Sequence, residues 1–289
     1  MSDSSGLNQK WALIIGGSSG IGFASAEKLT KQGWNLIIVH KDRKSAERTF
    51  QENLNRIKND HNHIKTINAD GVKEESVQGV LEIIKEELEE EGGKLGLILH
   101  SIANGNVKRM IPPVKIQNEE EGVMPTKFAS VFQGQIGPAT LTVKDMEYTV
   151  SAMGISLFTW VKGLLDHQLF DTQAKVLALT SEGDKRIWAG YGAVSAAKSV
   201  LESVIKYLAV ELAPYHITAN LIQAGVTETP SFKMIPGSNL IKELTLQRNP
   251  YHRLTTPADV ANVVALLARP EANWINGDTI IVDGGEHLR

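Results

Sequence analysis

Tyr191 and Lys198 place a phenol and an ammonium seven residues apart in the stretch YGAVSAAKSVLESVIKYLAVEL. At about 3.6 residues per helical turn, seven residues is nearly two turns, so the two side chains face the same way on a helix. A phenol beside a fixed cation is a tuned general acid, because the positive charge favours the phenolate and lowers the Tyr191 pKa. A second constellation is glycine-rich: Gly16, Gly20 and Gly22 form G-x-x-x-G-x-G directly after the apolar run Trp11–Ile15. Glycine there lets the backbone turn tightly and approach a pyrophosphate, whose charge is met by helix N-terminal N–H groups. The pair His61 and His63 stands alone in a polar loop and reads as solvated, so no metal site is expected.

The elements that must hold these groups alternate. Apolar runs at Trp11–Ile15, Asn35–Val39, Ile64–Asn68, Leu95–His100, Lys175–Thr180, Ile217–Gln223 and Asp278–Val282 read as strands. Helical patterns lie between them, at Phe23–Gln32, within Ser45–Asn59, and at Glu74–Glu91, Asp145–Asp166, Tyr191–Ala213 and Pro257–Leu267. Strands joined by helices need crossover connections, hence a parallel sheet covered on both faces. The expectation is one doubly wound α/β domain over residues 1–289, with strand order 3-2-1-4-5-6-7. Two long connections break the rhythm, an insertion at about 104–144 and a segment at about 227–256 expected to be a lid over a bound substrate. Both follow carboxyl ends of strands, where open α/β sheets bind ligands.

Bulk composition narrows the classes. The 289 residues are 42% hydrophobic and 22% charged, an ordinary globular mixture. A net charge of −3 offers no basic field for nucleic acid. The absence of cysteine removes thiolate metal sites, disulfides and Cys nucleophiles. Met1–Lys10 lacks the apolar core of a signal peptide, and no apolar run approaches about 18 residues. A cytoplasmic location without membrane insertion is expected.

The motifs resemble those of the short-chain dehydrogenase/reductase superfamily over nearly the whole chain. IGGSSGIG resembles that family's TGxxxGIG, which implies cofactor contacts at Gly16, Ser18, Gly20, Ile21 and Gly22. The resemblance also places Asp70 on the adenine amine, with Gly71 and Ile102 alongside, and WINGDTIIVDGG as the closing strand and turn. The superfamily's usual signature is YxxxK, yet the residue four before Lys198 is Val194, which can neither donate nor accept a proton. Y-x6-K is the spacing of its enoyl-[acyl carrier protein] reductases. LILHSIANG, GISLF and QAGVTET are similar to that group's HSIA, helix and AGPIRT segments. Ser181 replaces the second tyrosine that many of them carry, and aligns with the superfamily's catalytic serine. It is a possible donor to a substrate carbonyl, or a strand-end cap.

The resemblance implies reduction of trans-2-enoyl thioesters to saturated acyl thioesters in fatty acid synthesis, on acyl carrier protein or coenzyme A. Tyr191 would be the acid and Lys198 the ribose ligand, with Thr227 on the nicotinamide amide and Thr229 on the pyrophosphate. Gly105, Tyr191, Phe232 and Met234 would meet the substrate, and the protein would form a homotetramer. Lys41 and Arg43 after the second strand could clamp a 2′-phosphate, which favours NADPH; Asp42 between them keeps NADH as the alternative. A 3-oxoacyl or carbonyl reductase and a non-catalytic nucleotide-binding protein are the rival readings.

Overall fold

Short continuous apolar runs such as WALII and NLIIV are buried along their whole length, as strands of a sheet covered on both faces must be. The computed structural model describes residues 10–112 and 139–289. Seven strands form one sheet: β1 (Lys10–Ile15), β2 (Asn35–His40), β3 (Ile64–Asn68), β4 (Lys94–His100), β5 (Phe170–Ser181), β6 (Thr218–Ala224) and β7 (Thr279–Val282). All neighbours pair in parallel, in the expected order 3-2-1-4-5-6-7. The chain order reverses at β1 and β4, where Ile15 pairs with both Val39 and His100. A crevice opens outside the carboxyl ends of strands at such a switch point.

The helices among the described residues are α1 (Gly20–Thr30), α2 (Lys44–Ile57), α3 (Glu74–Glu91), α4 (Val143–Val150), α5 (Ser156–Asp166), α6 (Gly192–Glu211), α7 (Pro230–Lys233), α8 (Ser238–Arg248) and α9 (Pro257–Leu267). One face of the sheet packs Phe23, Leu29, Phe50, Leu54 and Val264 from α1, α2 and α9. The other packs Val77, Leu81, Trp160, Leu201 and Ile205 from α3, α5 and α6. Local chemistry sets the ends. Thr142 with Asp145, and Thr256 with Asp259, form reciprocal capping boxes that start α4 and α9. Gly92, at φ +79°, ends α3.

Several boundaries differ from the sequence reading, α1 among them, which starts at Gly20 rather than Phe23, and three bear on the site. The single helix expected over Asp145–Asp166 is two helices joined by a π-turn at Ser151–Ile155. Gly154 in that turn permits a close approach to α6, since a Cβ there would stand 2.8 Å from the Ala197 carbonyl oxygen. β5 begins five residues before Lys175, its polar start interrupted by Gln173 at φ +63°. The helix expected from Tyr191 begins at Gly192, with Tyr191 as its N-cap.

Most of the insertion expected at 104–144 lies outside the described residues. Its flanks meet: the Leu141 amide donates to the Arg109 carbonyl at 2.8 Å, and Lys108 pairs with Asp145 at 2.9 Å. Among the described residues no helix is long and apolar enough to cross a membrane.

Candidate active site

The loop after β1 is built around glycine. Gly16 has φ +86°, and a Cβ on it would lie 2.6 Å from the Ser101 carbonyl oxygen. A Cβ on Gly22 would lie 2.3 Å from the Gly16 carbonyl oxygen. The chain therefore passes β4 and re-enters α1 at a distance no side chain permits. Ser19 caps α1 without a side-chain hydrogen bond, which leaves first-turn N–H groups facing outward for an anion. Gly16, Ser18, Lys41, Asp70, Gly71 and Ile102 line one cleft of ≈ 250 Å³ at the switch point. Ile21 and Gly22 sit on the first turn of α1 beneath it. A second depression, lined by Lys10, Trp34 and Arg269, lies at the start of β1 and gathers none of the expected site residues.

The adenosine end of the cleft is charged in an ordered way. Asp70 accepts the Val72 amide at 3.0 Å and pairs with Lys41 at 2.6 Å, and these bonds hold its carboxyl below the usual range against the opposing effect of burial. Asp42 is held by two donors: Ser18 Oγ at 3.1 Å and the buried His40 Nδ1 at 2.9 Å. Arg43 is the exposed N-cap of α2 and does not line the cleft. The sequence paired Lys41 with Arg43; the structure pairs Lys41 with Asp70 and turns Asp42 toward the phosphate loop. Thr229 touches that loop from the far side, since a Cβ on Gly20 would be 3.2 Å from its methyl, while its hydroxyl accepts the Phe232 amide as the cap of α7. Thr227 is buried and its hydroxyl donates to the Gly225 carbonyl at 2.8 Å.

The acid pair comes together across β5 and α6. Tyr191 Oη is 3.3 Å from Ser181 Oγ, and that same oxygen accepts the Gly183 amide at 3.4 Å. Ser181 thus caps the turn after β5 and touches the phenol at once. The Tyr191 ring lies on Gly183, where a Cβ would come within 2.2 Å of Cε1. Burial pushes the phenol up from its ordinary value; the Ser181 bond lowers it and the Asp184 charge raises it further. The expected lowering by Lys198 is therefore not what sets it. Tyr191 is a protonated phenol at neutral pH.

Lys198 is buried, donates to the Leu179 carbonyl at 2.7 Å and is brought down to about 8 by desolvation. Val194, where the superfamily's usual tyrosine would stand, is 3% exposed and packs with Ala152, Met153 and Ala197. Gly105 draws the end of β4 against this cluster; a Cβ there would be 2.7 Å from Thr149 Cγ2 and 3.0 Å from Met153 Sδ. Phe232 is half-buried and Met234 is 84% exposed; only Ser231 of that segment reaches the cleft.

Sequence reasoning missed His100, at the end of β4. It is fully buried, its Nε2 is 2.8 Å from Ser156 Oγ, and its Nδ1 has no partner among the described residues. Desolvation, with the nearby Lys198 charge, brings it down to about 3, so it stays neutral. Its place in the HSIA segment was the available signal. Asp283, at the closing turn, accepts from the Gly285 and His287 amides and from the His287 ring, a structural task.

The family described as Enoyl-(Acyl carrier protein) reductase matches residues 16–287 of this chain. The chain belongs to that family. It is thereby a short-chain dehydrogenase/reductase of the enoyl reductase-like group, and an oxidoreductase fold built for a nicotinamide cofactor. It is 26% identical to the NADPH-dependent aldehyde reductase-like protein, chloroplastic, of Arabidopsis thaliana, over 95% of this chain and 93% of that protein. It is 25% identical to the NADH-dependent enoyl-[acyl-carrier-protein] reductase FabI of Aquifex aeolicus, over 98% and 93% respectively. The crystal structure of the Aquifex aeolicus enoyl reductase superposes with a TM-score of 0.77 at 24% identity, covering 98% of this chain and 99% of that one. The short-chain dehydrogenase/reductase fold accounts for the cleft: its glycine cradle and open helix N-terminus fit a dinucleotide pyrophosphate.

Proposed function

We propose that this protein reduces trans-2-enoyl thioesters to saturated acyl thioesters. The observation that carries the reading is the position of the acid. Tyr191 offers a protonated hydroxyl one residue before α6, while the position four before Lys198 is a buried valine. Reducing a ketone needs a proton donor at the carbon that accepts hydride. Reducing an enoyl thioester needs the donor displaced, because hydride arrives at C3 and negative charge gathers on the thioester oxygen at C1. A shift of three residues along a helix is about 4.5 Å, a displacement of that kind.

When bound, the nicotinamide supplies the hydride. Gly16, Gly22 and the first turn of α1 would hold the pyrophosphate, Asp70 the adenine amine, and Lys198 the nicotinamide ribose hydroxyls. Thr227 would meet the nicotinamide amide and Thr229, against the phosphate loop, the pyrophosphate. Tyr191 donates to the thioester oxygen as charge develops, and Ser181 steadies the phenol. Met110, Ile111, Ile187 and Met234 are exposed apolar side chains on the connections after β4, β5 and β6, a surface suited to an acyl chain on acyl carrier protein or coenzyme A.

Asp42 favours NADH over the NADPH expected from Lys41 and Arg43. A carboxylate fixed by Ser18 and by a buried histidine suits a ribose diol and repels a 2′-phosphate. Lys41 is exposed and already paired, and Arg43 is exposed. Self-association into a tetramer is supported by Tyr148, Ile155, Phe158, Tyr207 and Val210, all exposed on α4, the π-turn, α5 and α6. Light scattering at micromolar concentration tests it, and a monomer mass refutes it. Several other apolar residues of α6, including Leu201, Ile205 and Leu208, are taken up by the chain's own core.

The Ser181–Tyr191 hydroxyl pair also supports a second reading, reduction of a ketone or aldehyde. Oxidation of NADH or NADPH followed spectrophotometrically with crotonyl-CoA and with acetoacetyl-CoA separates the two. Turnover of acetoacetyl-CoA alone overturns the enoyl reading, and turnover of neither leaves nucleotide binding without catalysis.

A further inference from the structure

Behind the acid pair lies a contact the reaction described above does not use. The turn after Ser181, Glu182–Asp184, packs against α6, and there the Asp184 carboxyl meets the carboxyl of Glu202, one helical turn beyond Lys198. Asp184 Oδ1 and Glu202 Oε1 are both buried from solvent, and neither has a hydrogen-bond donor among the described residues. Two ionised carboxylates in contact, each with a buried bare oxygen, repel one another and forgo hydration. One proton placed between them satisfies both oxygens and removes the repulsion.

We infer that Glu202 holds a proton which it donates to Asp184, so that the two carboxyls together present a single negative charge to Tyr191 and Lys198. Resting on the enoyl reductase reading for its role in turnover, the pair is a positioning device, since it touches neither substrate nor cofactor. Burial first, and then the Asp184 contact and charge, hold the Glu202 carboxyl above the usual range, while Lys185 and Lys206 pull it down. Asp184 is the charge felt by the catalytic residues: it raises the Tyr191 phenol and opposes the desolvation of Lys198.

The surrounding charges are otherwise committed. On the same turn, Glu182 is paired with Arg186 and with Arg248 of α8. Lys185 bonds the Gln223 side chain of β6 at 3.0 Å, and its Nζ stands 3.8 Å from the same Glu202 Oε1, an ion pair too long to be a hydrogen bond. His100 of β4 is neutral. Lys198 therefore has one anionic neighbour in its pocket, and the pair keeps its ammonium charged in a desolvated site. A chain with two free carboxylates there would hold excess negative charge; a chain with none would let Lys198 lose its proton nearer neutrality.

Two spectroscopic measurements on the unliganded protein test this without any substrate. Infrared spectroscopy at about pH 6, well above ordinary carboxylate values, should show a protonated-carboxyl stretch that Glu202→Gln removes. In ultraviolet difference titration, subtracting Tyr191→Phe isolates Tyr191 among the five tyrosines. Glu202→Gln, which keeps the Asp184 charge and supplies an amide donor, should leave the Tyr191 titration in place. Asp184→Asn with Glu202→Gln should move it to lower pH, and should move the alkaline limb of enoyl turnover the same way. No protonated-carboxyl band in the unsubstituted protein, a band that survives Glu202→Gln, or a Tyr191 titration unmoved by the double change overturns the inference. If both spectra behave as expected and crotonyl-CoA is not reduced, the shared proton stands and the enoyl reading falls.

Discussion

The Ser181 hydroxyl lies 3.3 Å from the phenol oxygen of Tyr191, ten residues away in sequence and on the other side of a tight turn. Strand β5 delivers the serine, α6 delivers the tyrosine, and Gly183 between them has no side chain to keep the ring away. Removing only the phenol oxygen, Tyr191→Phe, should cut enoyl turnover by about 10²–10⁴-fold, the usual worth of a general acid. Thermal stability and cofactor affinity should barely change, and Ser181→Ala should cost less. Full turnover in Tyr191→Phe with none in Ser181→Ala would transfer the acid role to the serine.

Gly183→Ala tests the turn itself. The added methyl would sit 2.2 Å from the Tyr191 ring, so the ring must move. kcat should fall while the affinity for cofactor, whose pyrophosphate and adenosine would sit in the cleft at the β1/β4 switch point, stays near its original value. Equal losses in both would point to a general folding defect, which a melting curve would show.

Asp42→Asn keeps shape and removes charge. If Asp42 selects NADH, the ratio of KM for NADPH to KM for NADH should fall at least tenfold, as expected from about 1.5–3 kcal/mol for an interaction with a charged group. An unchanged ratio in Asp42→Asn, together with a raised NADPH KM in Lys41→Ala with Arg43→Ala, would return the preference to NADPH.

Lys198 is charged below about pH 8 and neutral above it, because burial depresses its affinity for protons. Ribose binding uses the charged form, so cofactor affinity and kcat should decline together as pH rises through about 8. In Lys198→Met both should be low and flat with pH.

His100 sets an acid limit on stability. Its folded value, about 3, lies below its ordinary 6.5, so between these limits the unfolded chain binds the extra proton. The stability it contributes is whole above pH 6.5 and is lost as pH falls toward 3. The loss is on the order of a few kcal/mol. Chemical denaturation of His100→Gln should show a shallower decline over that window. An identical slope would mean that folding does not lower the histidine's affinity for a proton, which overturns the assignment.

β1, β2 and β4 were legible because each is a short, mostly buried apolar run between turn residues, and α3 and α9 match their expected limits to the residue. The π-turn at Ser151–Ile155 left no mark, since one extra residue in a helical turn scarcely disturbs an apolar pattern. Tyr191 was assigned to the helix because periodicity does not distinguish an N-cap from a first turn. The loop glycines announced themselves by spacing. Asp184 and Glu202 did not: eighteen residues separate them, and in a chain with 33 acidic residues nothing but the fold marks these two as neighbours. The direction of Asp42 was equally hidden, because it depends on Ser18 from another loop.

Arg248, at the last turn of α8, bonds Glu182 at 2.6 Å and also pairs with Glu286, and the following Asn249 donates to the Asp283 carbonyl at 2.8 Å. The connection between β6 and α9 is thus riveted at its rear, while at its front Lys242 and Lys233 reach only the half-exposed Glu228. Exposed Met234 and its neighbour Ile235 lie on that front part, just before the left-handed Gly237. The rivet is driven into Glu182, the residue next to Ser181, so the rear of this connection and the turn after β5 are held together.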